Sequence, residues 1–282
     1  MRESQSAVTF GGMAGQYERF VALGDSQTEG CNDVGPDGRW RGWADRFAER
    51  LAETTSPGLT YANLAVGGCR AKHVLDVQVP AALALEPDLA SVCVGMNDLL
   101  RHDFDLAATA AQIEASFAAL RATGCRVFTV GFPDVALMLP VMGWLRPREA
   151  ELNDRVGEAA ARHDVDVLDL FSLDLAADPG MWSHDRIHGS ALGHERIAAG
   201  ACELFGLPGS DHSWAQVTGA VPRGLGVVRR DAWWVASFVG PFLVKQVRGR
   251  GQGPGAKRPQ LLPVLPSEND DGRPTLAGEA AV

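Results

Sequence analysis

The sequence predicts an α/β fold of three layers, in which helices cover both faces of a parallel sheet. Between residues 19 and 206, short apolar runs alternate with longer segments of helical spacing. Short apolar runs bounded by glycine are typical of buried strands, and strands that alternate with helices are typical of a parallel sheet. With 46% hydrophobic and 22% charged residues, the 282-residue chain can bury a core, which excludes a globally disordered protein.

Five strands and five helices are predicted in this region. The strands span 19–23, 59–65, 89–94, 126–131 and 165–168. The helices span 40–53, 71–85, 105–122, 147–163 and 190–205. Pro80 is expected to kink or break the second helix, because proline lacks the amide hydrogen and collides with the preceding turn.

The charge distribution divides the chain into two parts. Residues 1–208 carry a net charge of −12 and residues 209–282 one of +3. We predict a lead-in at 1–18, a folded domain at 19–208, a basic, aromatic C-terminal extension at 209–265 and a disordered tail at 266–282. The stretch 248–259 holds so much glycine and proline that we do not expect it to pack.

The composition argues against several classes of protein. The net charge of −9 disfavours a general nucleic-acid binder. The first twenty residues lack the apolar core of a secretory signal, and no apolar run is long enough to span a bilayer. The five cysteines are odd in number and lack metal-site spacing, so we expect small core residues in a reduced, cytoplasmic protein.

Four short clusters lie after predicted strands or before the last helix. They are Gly24-Asp25-Ser26, Gly67-Gly68, Gly95-Met96-Asn97-Asp98 and Asp185-Arg186-Ile187-His188. The carboxyl ends of parallel strands share one edge of a sheet, and ligands bind in the crevice there. We therefore expect the four clusters to converge on one site.

The residue types in these clusters suit acyl transfer. Ser26 is a weak nucleophile that needs a base within hydrogen-bond reach, and His188 can serve as that base. Asp185 lies three residues earlier, close enough for its carboxylate to fix the imidazole tautomer. The backbone N–H groups of Ser26 and Gly68 and the side-chain amide of Asn97 can donate to a developing oxyanion. This scheme requires no cofactor and no metal.

Together the clusters resemble the four sequence blocks of the SGNH (GDSL-like) hydrolases, in the family's order and over residues 19–206. The resemblance implies a flavodoxin-like sheet, with Ser26 as nucleophile, His188 as base and Asp185 as the residue that orients it. It also implies that Ser26, Gly68 and Asn97 form the oxyanion hole. The basic C-terminal extension is similar to those of actinobacterial members, but this similarity does not indicate a role for it.

Gln27 departs from the family pattern, which more usually has an apolar residue at this position. We expect the difference to affect local packing or the substrate mouth more than the chemistry. Asp25 and Asp98 are expected to brace their loops. Taken alone, Ser26 is also interpretable as a helix cap and Asn97-Asp98 as an ordinary turn.

The sequence disfavours two other kinds of site, a metal site and a catalytic cysteine. His184, Asp185, His188 and His194 contain frequent metal ligands, but no further carboxylate or cysteine completes a recognisable set. We expect His194 to pack near the site instead. Cys31 and Cys69 lie beside the site without a context for a thiolate, which makes a catalytic cysteine improbable.

We expect a hydrolase that acts through an acyl-enzyme on a small or lipid-like acyl ester. One alternative is an acyltransferase that uses the same site in a biosynthetic pathway. Another is a non-catalytic lipid- or partner-binding protein, with the basic, aromatic residues of 227–258 in contact with a membrane or a protein. The apolar stretch 132–146 is expected to line an acyl pocket, to act as a lid, or to pack against the C-terminal segment.

Overall fold

A six-stranded sheet forms the centre of the protein in a computed structural model that describes residues 16–217, Gly219 and 255–265. Its strands are β1 (Arg19–Gly24), β2 (Thr60–Asn63), β3 (Leu89–Cys93), β4 (Arg126–Val130), β5 (Asp166–Leu168) and β6 (Arg258–Pro263). The spatial order is β5-β4-β3-β1-β2-β6. Strands β1 to β5 are parallel in the flavodoxin-like order, and β6 is antiparallel to β2.

Both faces of the sheet are covered by apolar side chains. Alternate residues of a strand point to opposite faces, so each strand contributes side chains to both. In β1, Phe20 and Ala22 belong to one buried cluster, whereas Val21 and Leu23 belong to the other. Strands covered on both faces are apolar along nearly their whole length. This is why the strands are visible in the sequence as short continuous apolar runs.

Helices form the two outer layers. The α-helices of the described residues are α1 (Ser26–Glu29), α2 (Trp43–Thr54), α3 (Ala71–His73), α4 (Val79–Leu83), α5 (Met96–Leu99), α6 (Leu106–Arg121), α7 (Val135–Met138), α8 (Arg146–Arg162) and α9 (Ala191–Leu204). Phe47 of α2 and Cys202 of α9 belong to one buried cluster, and Phe117 of α6 and Val156 of α8 to the other. The predicted three-layer fold is therefore confirmed.

The structure specifies one predicted detail of the helices and corrects another. The α-helix is interrupted directly before Pro80, as a π-helical turn at Val74–Gln78 separates α3 from α4 and Pro80 lies in the first turn of α4. A proline in a first turn needs no amide hydrogen. Helix α2 begins three residues later than predicted, since Trp40 instead forms a bridge with Val34 and is 41% exposed.

The C-terminal extension contributes an edge strand, which the sequence did not indicate. The stretch 248–259 was predicted not to pack, yet its last two residues, Arg258 and Pro259, lie in β6. Proline is tolerated there because an edge strand leaves one row of amides without ladder partners. The Lys257 ammonium next to β6 lies 2.7 Å from the buried Asp45 carboxylate. The aromatic stretch at 227–247 is outside the described residues.

The strand order determines where a ligand can bind. The chain crosses from β2 over β1 to β3, so the loops after β1 and β3 leave the sheet in opposite directions. A crevice opens at the carboxyl ends of such neighbouring strands. Ser26 follows β1 and Asn97 follows β3, which places both at this crevice. Among the described residues, no helix is both long and apolar enough to cross a membrane.

Candidate active site

Ser26 lies immediately beyond the end of β1, at the first position of α1. The N-cap of this helix is Asp25, whose Oδ1 accepts a hydrogen bond from Gln27 N at 3.1 Å. Ser26 is therefore not the cap, and its hydroxyl is left available at the helix N-terminus. Gly24 allows this tight turn, since a Cβ there would come within 2.5 Å of both Cys93 O and Thr28 Oγ1.

His188 and Asp185 reach Ser26 from the loop that precedes α9. His188 Nε2 lies 2.8 Å from Ser26 Oγ, and His188 Nδ1 lies 2.7 Å from Asp185 Oδ2. Because a carboxylate can only accept a hydrogen bond, Nδ1 carries the ring proton and Nε2 is free to accept the serine proton. The structure thus brings the three residues, 162 positions apart at the extremes, into one hydrogen-bonded chain.

The Asp185 carboxylate is held by more donors than His188 alone. Its Oδ1 accepts from Ser183 Oγ at 2.7 Å and from the backbone N of Ile187 and His188 at 2.9 and 3.0 Å. Its Oδ2 also accepts from Asn32 Nδ2 at 2.7 Å. Burial by itself raises the pKa of Asp185, but the bonds and charge of His188 and the two backbone amides hold that pKa well below its usual range. Asp185 is therefore a fixed anion.

The predicted oxyanion donors also lie at this edge. Across the part of the chain that the structure describes, the Ser26 and Gly68 amides have no hydrogen-bond acceptor, and Gly68 adopts a left-handed φ of 75°. Asn97 differs, because its Nδ2 donates to Asp25 Oδ2 and to Cys69 O, each at 3.0 Å. The Asn97 amide must therefore exchange or share one of these bonds to reach a substrate oxygen.

Asp25 and Asp98 brace the loops around the site, as predicted. Besides capping α1, Asp25 accepts the bond from Asn97, and Asp98 Oδ2 accepts from Ala71 N at 3.0 Å. Burial raises the pKa of each carboxyl to about 6, against bonds from Gln27 and Asn97 at Asp25 and from Ala71 at Asp98.

Three polar residues at the site were missed by sequence reasoning. Asn32 donates to both Ser183 Oγ and Asp185 Oδ2, and has a left-handed φ of 72°. Gln78, in the π-helical turn, pairs with Gly24 N and Gly24 O at 2.8 and 2.9 Å. The carboxylate of buried Glu29 accepts from Cys31 Sγ at 3.6 Å and lies against Gly67, where a Cβ would come within 2.9 Å of Glu29 Oε2. Of these three residues, only Glu29 could have been found from the sequence, because it lies within the first sequence block. No local pattern distinguishes Asn32 or Gln78.

The disfavoured kinds of site gain no support. All five cysteines are buried and free, and burial raises the pKa of the Cys31 and Cys69 thiols far above the usual range. No group of three or more His, Cys, Asp or Glu in the described segments is arranged to hold a metal ion. His194 is buried against Gly189, and burial lowers its pKa to about 4. Its predicted packing beside the site is confirmed.

A largely apolar cavity of about 100 Å³ lies at the same sheet edge, although Ser26, Asp185 and His188 are not among its lining residues. Residues next to Ser26 and His188 in sequence, among them Gln27 and Ile187, line its edge. Its walls come from the loop after β4, the 3₁₀ turns that follow β5, and α9; they include Phe132, Val135, Leu175, Met181, Trp182 and Ile197. Part of the apolar stretch 132–146 therefore lines a pocket, whereas Val141 and Trp144 are exposed.

Comparison with known families identifies the chain. A model of the GDSL-like lipase/acylhydrolase family matches residues 22–196, a span that contains all the residues of the hydrogen-bonded chain and all the predicted oxyanion donors. The chain belongs to this family. It is an SGNH-type esterase, as the four sequence blocks predicted. No curated protein sequence matched the chain.

Several solved structures share the fold of this GDSL-like esterase. LAE5, an alpha/beta hydrolase enzyme from the metagenome of Lake Arreo, is 21% identical with a TM-score of 0.55, covering 69% of this chain and 98% of that one. Axe2, an acetylxylan esterase from Geobacillus stearothermophilus, is 17% identical with a TM-score of 0.59, covering 73% and 99%. The esterase EstA from Pseudoalteromonas sp. is 15% identical with a TM-score of 0.53, covering 67% and 97%.

Proposed function

We propose that this esterase hydrolyses its substrate through an acyl-enzyme on Ser26, with His188 as general base and Asp185 as the residue that orients it. The observation that carries the proposal is the chain of two short hydrogen bonds, 2.8 Å from Ser26 to His188 and 2.7 Å from His188 to Asp185. Such a chain activates a hydroxyl that is otherwise too weak a nucleophile at neutral pH.

The reaction proceeds in two halves. His188 Nε2 takes the proton of Ser26 Oγ as the oxygen attacks the ester carbonyl, and the resulting imidazolium gives that proton to the departing alcohol. Water then attacks the acyl-enzyme, with His188 again acting first as base and then as acid, and Ser26 is restored. The Asp185 anion stabilises the imidazolium in both halves.

Negative charge develops on the carbonyl oxygen in each half. The amides of Ser26 and Gly68, which have no acceptor among the described residues, are suited to donate hydrogen bonds to that oxygen, since donors already in place need no reorganisation during the reaction. Asn97 would be the third donor after exchanging its bond to Cys69 O or Asp25. Loss of one such donor typically lowers kcat by about 10²–10³.

The apolar cavity, which is lined by the sequence neighbours of Ser26 and His188, supports an apolar acyl group as the substrate's acid portion. Its lining is formed mainly by apolar side chains, and a cavity of about 100 Å³ suits a short chain better than a long one. Each methylene that enters such a site contributes up to about 0.8 kcal/mol. We therefore propose short- to medium-chain acyl esters as the substrate class.

The first experiment measures hydrolysis of p-nitrophenyl esters from acetate to octanoate. We expect wild-type turnover, and a fall in kcat on the order of 10⁴–10⁶ in Ser26→Ala and His188→Ala, because removing one member of the chain disables the whole. The matched control is Ser172→Ala, an exposed serine beyond β5, which should retain wild-type rates. Unfolding curves establish that each variant is folded.

Turnover that persists in folded Ser26→Ala would overturn the proposed nucleophile. Repeating the assay with added alcohols and amines, and identifying the products by mass spectrometry, distinguishes hydrolysis from acyl transfer. Release of free acid in the presence of acceptors supports the hydrolase, whereas a dominant acylated acceptor would favour the acyltransferase.

A further inference from the structure

Gln27 joins the helix that carries Ser26 to the loop that carries His188. Its Nε2 donates to Ile187 O at 2.7 Å, and its Oε1 accepts from Gly189 N at 3.3 Å. These two peptide groups flank His188 in the chain. One planar amide, directly next to Ser26, therefore contacts the backbone on both sides of the histidine.

We propose that Gln27 is a positioning residue that sets the place of the His188 backbone relative to Ser26. The proposal rests on the proposed roles of Ser26 and His188. A displacement of about 1 Å in such a site can cost on the order of 10² in rate. Because Gln27 and Ser26 share one short helix, its two bonds couple the backbone of the base to the backbone of the nucleophile.

Among the described residues, the other hydrogen bonds to the backbone at His188 come from the loop itself. Ser183 N donates to His188 O at 2.9 Å and Trp182 forms a bridge with Gly189, so these contacts hold the loop to itself. Arg186 has a left-handed φ of 52°, which shows how sharply the loop turns before His188. Asn32 crosses to the loop as well, but it contacts the side chains of Asp185 and Ser183. Gln27 contacts the backbone at His188.

The pairing requires a side chain with one donor and one acceptor in a plane, which a primary amide has. The apolar residue more usual at this position in the family has neither, and glutamate lacks the donor for Ile187 O. Gln27 is half-buried and also lines the apolar cavity. A methionine at this position keeps the length and the cavity wall but removes both hydrogen bonds. A positioning role for Gln27 differs from the expectation that this residue affects local packing or the substrate mouth more than the chemistry.

The test compares Gln27→Met and Gln27→Glu with wild type on p-nitrophenyl acetate, whose short acyl group makes little use of the cavity. We expect kcat to fall about 10- to 100-fold in both variants, as a misplaced base would cause, with KM changed less than about threefold. Glutamate matches glutamine in size, so Gln27→Glu tests the donated bond even if Gln27→Met is poorly folded.

A second readout follows the chemistry of Ser26 without turnover. The rate at which an organophosphonate ester labels Ser26, measured by mass spectrometry, also depends on His188 taking the serine proton. We expect this rate to fall in proportion to kcat in both variants. A role confined to the stability of the fold would lower the unfolding temperature and leave the labelling rate of the folded protein unchanged.

The controls separate failure of this proposal from failure of the proposed function. Gln216→Met, at an exposed glutamine, should match wild type in every assay. Turnover that survives Ser26→Ala would overturn the roles on which the proposal rests. An inactive Ser26→Ala together with wild-type kcat in both Gln27 variants would overturn the positioning role alone. So would a rise in KM at unchanged kcat, which would make Gln27 a wall of the cavity and nothing more.

Discussion

Asp185 Oδ2 accepts two hydrogen bonds of 2.7 Å, one from His188 Nδ1 and one from Asn32 Nδ2. Asn32 thus holds the same carboxylate oxygen as the imidazole, and it does so from the loop that follows α1. A hydrogen bond to a charged group contributes roughly 1.5–3 kcal/mol, of which only the part that differs between ground and transition state affects the rate.

We predict that Asn32→Gly lowers kcat about three- to tenfold, because Asp185 Oδ2, which accepts from His188, then loses its second hydrogen bond and is held less firmly. Glycine is the suitable replacement, since Asn32 has a left-handed φ of 72° that alanine would strain. Steady-state kinetics on p-nitrophenyl acetate measure the effect, and Ser172→Ala is the control. Unchanged kcat in folded Asn32→Gly would mean that Ser183 and the backbone amides hold Asp185 without it.

Helix α8 anchors the loop that lines the cavity. Asn153 pairs with both Phe132 N and Phe132 O, at 2.9 and 3.1 Å, and Arg146 Nε lies 2.5 Å from Asp134 Oδ2. Glu149 is 1% exposed; its Oε2 accepts a long bond of 3.4 Å from Val135 N, and its Oε1 has no partner among the described residues. Burial raises the pKa of Glu149 to about 8, with the charge of Asp134 adding to the effect.

We expect the free energy of unfolding to depend on pH through the Glu149 carboxyl. Between the ordinary glutamate pKa of 4.5 and about 8, the folded protein binds more protons than the unfolded chain, so the free energy of unfolding falls as pH rises through that window. We predict that Glu149→Gln removes this dependence. The free energy of unfolding of Glu149→Gln minus that of wild type should then be about 1–3 kcal/mol larger at pH 9 than at pH 5. Urea unfolding at both pH values measures it. The same difference at both would contradict the prediction.

The cavity is a property of the whole molecule, since it is enclosed by segments from residue 25 to residue 197. No single element forms it: the carboxyl ends of β1, β3 and β4, the loop that α8 anchors, the turns after β5 and helix α9 each contribute a wall. Its depth is therefore expected to limit the acyl chain that the enzyme accepts.

We predict that kcat/KM rises with acyl chain length by up to about fourfold per methylene, in line with roughly 0.8 kcal/mol for each buried methylene, and then falls once the cavity is full. Ala176→Leu, at a buried cavity wall, should shift the optimum to shorter esters. Ala177→Leu, at a neighbouring half-buried position outside the cavity lining, should leave the optimum unchanged. A profile that does not respond to Ala176→Leu would place the acyl group elsewhere.

The local pattern of the sequence was sufficient for much of this protein. Apolar runs and helical spacing located β1 to β5 and the main helices to within about three residues at each end. The four blocks located Ser26, Gly68, Asn97, Asp185 and His188 at one sheet edge. These inferences succeed because strand and helix periodicity, caps and tight turns depend on neighbours in the chain, and because parallel strands always share their carboxyl edge.

Other features depended on which distant segments the fold brings together. Strand β6 pairs with β2 about 200 residues away, the bonds of Gln27 reach the peptide groups beside His188, and Asn32 reaches Asp185 across 153 residues. The type of a polar residue does not indicate which distant residue it will bind. The sequence by itself determined the layers, the strand ends and the reacting residue types. Only the tertiary structure decided how the base is held and how the cavity is enclosed, because both arise from contacts between loops that no local pattern specifies.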